Sequence, residues 1–273
     1  RSKVAPVGWN AHSVNRNNGP DVYNPQRPIV RPWPPSLSGD HSMAIDQISP
    51  QYQNTAVGTE TRNRVLRNTY GLLALSMIPT VIGAWIGVAT RFTFFAGSPA
   101  ISFIAFLAIA WGFMFGISRY RNSSAGILLL LGFTFFMGLM LSRLLGFVLG
   151  MSNGASLVMM AFGSTAVIFG AMATIATVSK RDFSGMGRWL FVGMIVILLA
   201  AFANIFLQIP ALMLTISLLA TVVFSLFILF DLNRVVTGGE TNYVMATLSV
   251  YINLYNVFSN LLALFGIAGG NND

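Results

Sequence analysis

Residues 241–266, TNYVMATLSVYINLYNVFSNLLALFG, decide the fold. At about 1.5 Å of rise per residue the stretch is long enough to cross a bilayer, yet it carries Asn242, Ser249, Asn253, Asn256 and Asn260. Their spacings of 7, 4, 3 and 4 follow the helical period, so at roughly 100° per residue the five fall within an arc of about 60°. Acyl chains offer no hydrogen bonds, and an Asn facing them would leave its amide unpaired at a cost of about 1–3 kcal/mol. The helix is therefore expected to lodge among other helices with Asn253 turned inward. Two readings of the polar stripe fit: a seam that glues helices together, or the lining of a polar cavity or ion path.

Working outward, the composition agrees with a membrane location. Of 273 residues, 55% are apolar and 9% charged, against about 25% charged in soluble domains. The chain reads as an all-α integral membrane protein. It has no cysteine, which excludes a disulfide framework and thiolate metal sites. A net charge of +8 would point to nucleic acid in a soluble protein. Here Lys and Arg sit in short segments between apolar runs, where they set orientation, and no nucleic-acid role is expected.

Residues 1–61 differ from the rest. They hold eight of the eleven prolines and both histidines, and runs such as Arg31-Pro32-Trp33-Pro34-Pro35 predict an extended, disordered tail that builds no core. No apolar run follows the basic start, so it does not read as a signal peptide. Met43-Ala44-Ile45-Asp46-Gln47 reads as a natural start, and residues 1–42 are set aside from the fold as upstream sequence.

From Asn68 onward, apolar runs predict seven spanning helices near 68–90, 99–118, 124–149, 155–178, 186–208, 210–230 and 241–266 in a domain over 62–273. Pro99 and Pro210 sit at first turns, where the missing N–H costs nothing, whereas Pro79 is expected to kink the first helix. The break at Gln208-Ile209-Pro210 makes a tight hairpin of helices five and six. Arg62, Arg64, Arg67, Arg119, Arg121, Lys180, Arg181, Arg188 and Arg234 all fall on one side if the helices alternate. That assigns the amino terminus to the cytoplasm and the carboxyl terminus to the far side. The pairs Gly83/Gly87, Gly112/Gly116 and Gly146/Gly150 have the spacing that lets helix backbones approach closely.

Few residues could carry chemistry. Asp231 is the one carboxylate abutting an apolar run from within. It is either an intramembrane functional acid or an end-of-helix residue paired with Arg234 one turn on. Glu240 precedes the last helix, where a carboxylate meets the positive end of the helix dipole and helps to cap it. Arg143, near the outer end of helix three, either snorkels or reaches a polar interior. With no Gly-x-Ser-x-Gly, His-Glu-x-x-His or phosphate-loop motif, and no paired acid and base, the chain is not expected to be an enzyme or to use a metal or cofactor.

Three stretches, Arg64-Val65-Leu66-Arg67-Asn68-Thr69-Tyr70, Ala203 to Leu212 (ANIFLQIPAL), and Gly238-Gly239-Glu240-Thr241-Asn242-Tyr243 running into Tyr251-Ile252-Asn253-Leu254-Tyr255-Asn256, resemble bacterial members of the Bax inhibitor-1 (TMBIM) family over about residues 62 to 268. The resemblance implies seven helices with the last surrounded by the other six. It also implies a bacterial inner-membrane protein that binds the membrane-anchored AAA protease FtsH as a slowly handled substrate and modulator. Other members of the family resemble pH-gated calcium-leak channels with an aspartate pair on helices six and seven. Asp231 matches the first aspartate, but Asn253 stands at the second, so a lone Asp lacks the like-charged partner that lets such pairs titrate near neutrality.

Overall fold

A computed structural model of the chain describes residues 41–92, 99–179 and 181–269; the tail expectation for residues 1–40 lies outside them. Seven helices follow in order: α1 (His41–Ala89), α2 (Pro99–Arg119), α3 (Ser124–Leu149), α4 (Gly154–Val178), α5 (Met186–Leu207), α6 (Pro210–Thr237) and α7 (Tyr243–Gly269). Each contains a segment long and apolar enough to cross a membrane, Arg62–Ala89 in the case of α1. The chain divides after Ser49; the first unit holds the start of α1, and the packing described below is that of the second, Pro50–Asp273.

Two boundaries differ from the sequence reading. α1 is helical from His41, where an extended tail was expected through residue 61, and it runs unbroken through Pro79. Once an apolar span has nucleated a helix, each added residue fixes few dihedrals for one more hydrogen bond, so polar flanks extend it cheaply. α6 runs seven residues past the expected 230, to Thr237. Asp231 and Arg234 therefore lie within its last two turns.

The α5–α6 hairpin closes by local chemistry. Gln208 adopts the left-handed conformation (φ 51°) and its N–H donates to the Asn204 carbonyl at 2.8 Å. The Asn204 side chain accepts the Ile209 N–H at 3.0 Å. Pro210 then opens α6 where its missing donor is harmless.

No residue of α7 from Tyr243 to Ile267 is exposed. Its most extensive contact is with α6, and it also packs on α4, α3 and α2. Hydrogen bonds tie it to α1: Thr247 donates to the Thr69 carbonyl at 3.3 Å, and the Tyr251 hydroxyl meets Thr80 Oγ1 at 2.8 Å. α5 packs on α6 and makes no comparable contact with α7. Burial of α7 thus comes from α1, α2, α3, α4 and α6.

In lipid, helices associate through close packing, because the tails are as apolar as the side chains. Here α1 and α3 approach through glycine. A Cβ on Gly83 would run into the Phe135 carbonyl oxygen, one on Gly87 would sit 2.5 Å from the Ser142 side chain, and one on Gly138 would strike the Thr80 carbonyl oxygen. The Gly112/Gly116 pair differs: nothing lies within 4 Å of a Cβ on Gly112.

Candidate functional site

The polar seam between α6 and α7 centres on one contact. Asn253 Nδ2 donates to Asp231 Oδ2 at 2.7 Å, with Asp231 9% and Asn253 7% exposed. At this burial a carboxylate facing only apolar groups would be costly, and the carboxamide opposite supplies a donor. Arg234 does not supply it. The ion-pair partner of Arg234 is Glu240, at 3.8 Å, in place of Asp231, and the guanidinium lies 5.8 Å from the Phe230 ring centroid.

The turn after α6 explains that pairing. Gly238 takes φ 83°, a conformation that glycine adopts without a Cβ penalty. The chain then doubles back, so that the Glu240 N–H donates to the Arg234 carbonyl at 3.1 Å. This brings the Glu240 carboxylate to the Arg234 side chain. The other carboxylate oxygen, Oε1, accepts the Asn242 N–H at 2.9 Å.

Asn242 serves as the N-cap of α7. Its Oδ1 accepts the N–H groups of Val244 and Met245 at 3.1 and 3.0 Å, satisfying donors that a helix start leaves free. Its Nδ2 reaches the α2–α3 turn, at 3.1 Å from the Arg121 carbonyl and 2.7 Å from Asn122 Oδ1. Asn242→Ala removes both functions and is expected to cost about 1–2 kcal/mol. Thermal unfolding in detergent measures it, and an unchanged midpoint would contradict the capping role.

The remaining stripe residues do not join the pair. Asn256 and Asn260, both half-buried, donate back to their own helix at 2.8 Å, to the carbonyls of Ile252 and Asn256. Ser249 is half-buried, and Arg143 is exposed on α3, away from the seam. Among the described residues no cluster of three or more His, Cys, Asp or Glu is present, and every fully buried polar side-chain atom has a partner. The seam can bind protons or order helices; it offers no paired acid and base.

Two parts of the polar core escaped the sequence reading. Asn233, 1% exposed, accepts the Phe183 N–H at 3.1 Å and donates to the Arg181 carbonyl at 3.2 Å, clamping the α4–α5 loop to α6. In the same loop the hydroxyl and N–H of Ser184 both donate to Asp182 Oδ1, which holds this exposed carboxyl below the usual aspartate range. Tyr251, 1% exposed, joins Thr80 to the Thr134 carbonyl, 3.3 Å away. For Asn233 the signal was present as a second amide two residues past Asp231, but nothing in the sequence named the loop it would hold.

The fold and seam define a polytopic membrane protein of seven helices with a carboxylate–carboxamide pair closed between the last two. The chain belongs to the Bax inhibitor-1 family: the family model described as inhibitor of apoptosis-promoting Bax1 matches residues 62–270. An uncharacterized protein of Neisseria meningitidis is 39% identical over 206 residues, covering 75% of this chain and 91% of its own. An uncharacterized membrane protein of Vibrio cholerae is 38% identical over 209 residues, 77% and 92% of the two chains. The Escherichia coli K12 protein named modulator of FtsH protease YccA is 36% identical over 206 residues, 76% and 91% of the two chains.

Proposed function

We propose that this protein is a non-enzymatic bacterial inner-membrane protein that serves as a substrate and modulator of an FtsH-type membrane AAA protease. Its amino terminus lies in the cytoplasm and its carboxyl terminus in the periplasm. The likeness to the Escherichia coli modulator of FtsH protease, over nearly the whole of that relative, carries the reading. The fold supports it physically. Interlocked glycine contacts between α1 and α3 and a deeply buried α7 make a bundle that resists extraction from the bilayer. A polar segment, residues 43–61, precedes the apolar span. A helix containing Pro50 and Gly58 is marginal by itself, so the protease can thread it at little cost. Deleting residues 43–61 is expected to lengthen the protein's lifetime in cells that contain the protease. Unchanged decay after a translation block counts against that role for the segment.

The buried Asp231 keeps a second reading in view, a pH-sensitive calcium or ion leak along the α7 stripe. Calcium sites gather several oxygen ligands with charge, and one carboxylate facing a carboxamide supplies little of either. Proteoliposomes loaded with a calcium dye are expected to show no calcium-specific flux, with or without Asp231→Asn. A pH-dependent leak abolished by Asp231→Asn would make the ion path the primary function.

A further inference from the structure

A cleft of about 680 Å³ lies among α1, α3, α4 and α7, separate from the α6–α7 seam. It runs along α1 from Met77 to Val88 and along α4 from Val158 to Phe169, twelve residues each, or about 16 Å from first to last at the helical rise. These segments occupy the half of the spans away from Arg62, Arg64 and Arg67 on α1 and from Arg181 after α4, from mid-helix to the far end. That length matches one leaflet of the roughly 30 Å hydrocarbon core. Trp85 on α1 and Phe162 on α4 are 70% and 68% exposed while lining it, so the cleft opens sideways toward lipid.

Size decides the occupant. A transmembrane helix needs about 30 Å to cross the hydrocarbon core, roughly twice the length of the cleft, so a spanning partner would leave half of its face unmatched. At about 16 Å long, lined almost wholly by apolar side chain and open toward lipid, the cleft has the length and chemistry to take hydrocarbon chain. Gly163 keeps it open on the α4 side: a Cβ there would meet nothing within 4 Å. Arg91 stands at the end of α1, its N–H on the Val88 carbonyl at 3.2 Å, at the depth where the phosphate of such a lipid would lie.

We propose that this cleft is a specific site for one phospholipid of that leaflet, which inserts an acyl chain between α1 and α4 with its methyl end toward Tyr251 and Tyr255. The purified full chain, washed in mild detergent, is expected to retain one phospholipid, counted by native mass spectrometry. Gly163→Leu fills the slot and should abolish retention. Gly170→Leu, on the same helix with equally open surroundings but outside the cleft, should keep it. Tyr255→Phe should also keep it, because an acyl chain makes no use of the phenol. A measurement without variants uses a phospholipid bearing a photoreactive group near its methyl end, which is expected to label residues 251–258 in preference to the exposed faces of α5. Retention that survives Gly163→Leu, or labelling no stronger at 251–258 than on α5, would overturn the proposal. Loss with Gly170→Leu, or with Tyr255→Phe, which would indicate an occupant with a polar tip, would do the same.

Discussion

Asn253→Leu is expected to destabilise the protein by about 3 kcal/mol, because it removes the donor facing a buried carboxylate and leaves that group against apolar side chains. The substituted side chain is of similar size, so the loss reports the missing hydrogen bond and not a cavity. Asp231→Asn keeps an acceptor opposite Asn253 and should cost about 1 kcal/mol or less. In the Asp231→Asn background, Asn253→Leu should then cost clearly less than it does alone, since no carboxylate remains to be stranded. Equilibrium unfolding in detergent gives all four corners of this cycle. Additive effects would mean that the 2.7 Å contact does not hold α6 to α7.

The second large effect is expected at Gly138. A side chain there meets the backbone of α1 at Thr80 and Ala84, and a carbonyl cannot swing aside as the end of a side chain can. Gly138→Leu must push α1 away from α3, and we expect a loss of about 3 kcal/mol or more. Gly112→Leu, which meets nothing within 4 Å, should stay within about 0.5 kcal/mol of the parent protein. Equal losses at the two positions would show that general intolerance of bulk, and not the α1–α3 approach, sets stability.

That contrast marks what could be read from the residues. Gly83/Gly87 and Gly112/Gly116 have the same spacing, yet Gly83 and Gly87 lie against α3 whereas Gly112 meets nothing; spacing places small residues on one face and cannot say whether a neighbour lies there. The seven spans were legible because apolar length is nearly sufficient to define a membrane helix. Boundaries set by polar residues were less so. α6 continues through Asp231 and Asn233 because both side chains find partners across the bundle, and a hydropathy reading stops at the first charge. The polar arc of α7 was visible as a period, but its members diverge in role. Asn242 caps the helix, Asn253 binds Asp231, and Asn256 and Asn260 return to their own backbone. The residues left Asp231 open between a functional acid and a partner of Arg234; Arg234 pairs with Glu240 because the turn at Gly238 brings Glu240 back, which spacing along the chain does not show.

The proposed function is tested most directly by isolating the protein, at native abundance and with an affinity tag, from its own membranes after mild solubilisation, and quantifying what co-elutes. The account predicts that the membrane AAA protease of the FtsH type is enriched in near-stoichiometric amount, and that a protease variant unable to hydrolyse ATP traps more of the protein. Absence of the protease from the eluate in both backgrounds would contradict it.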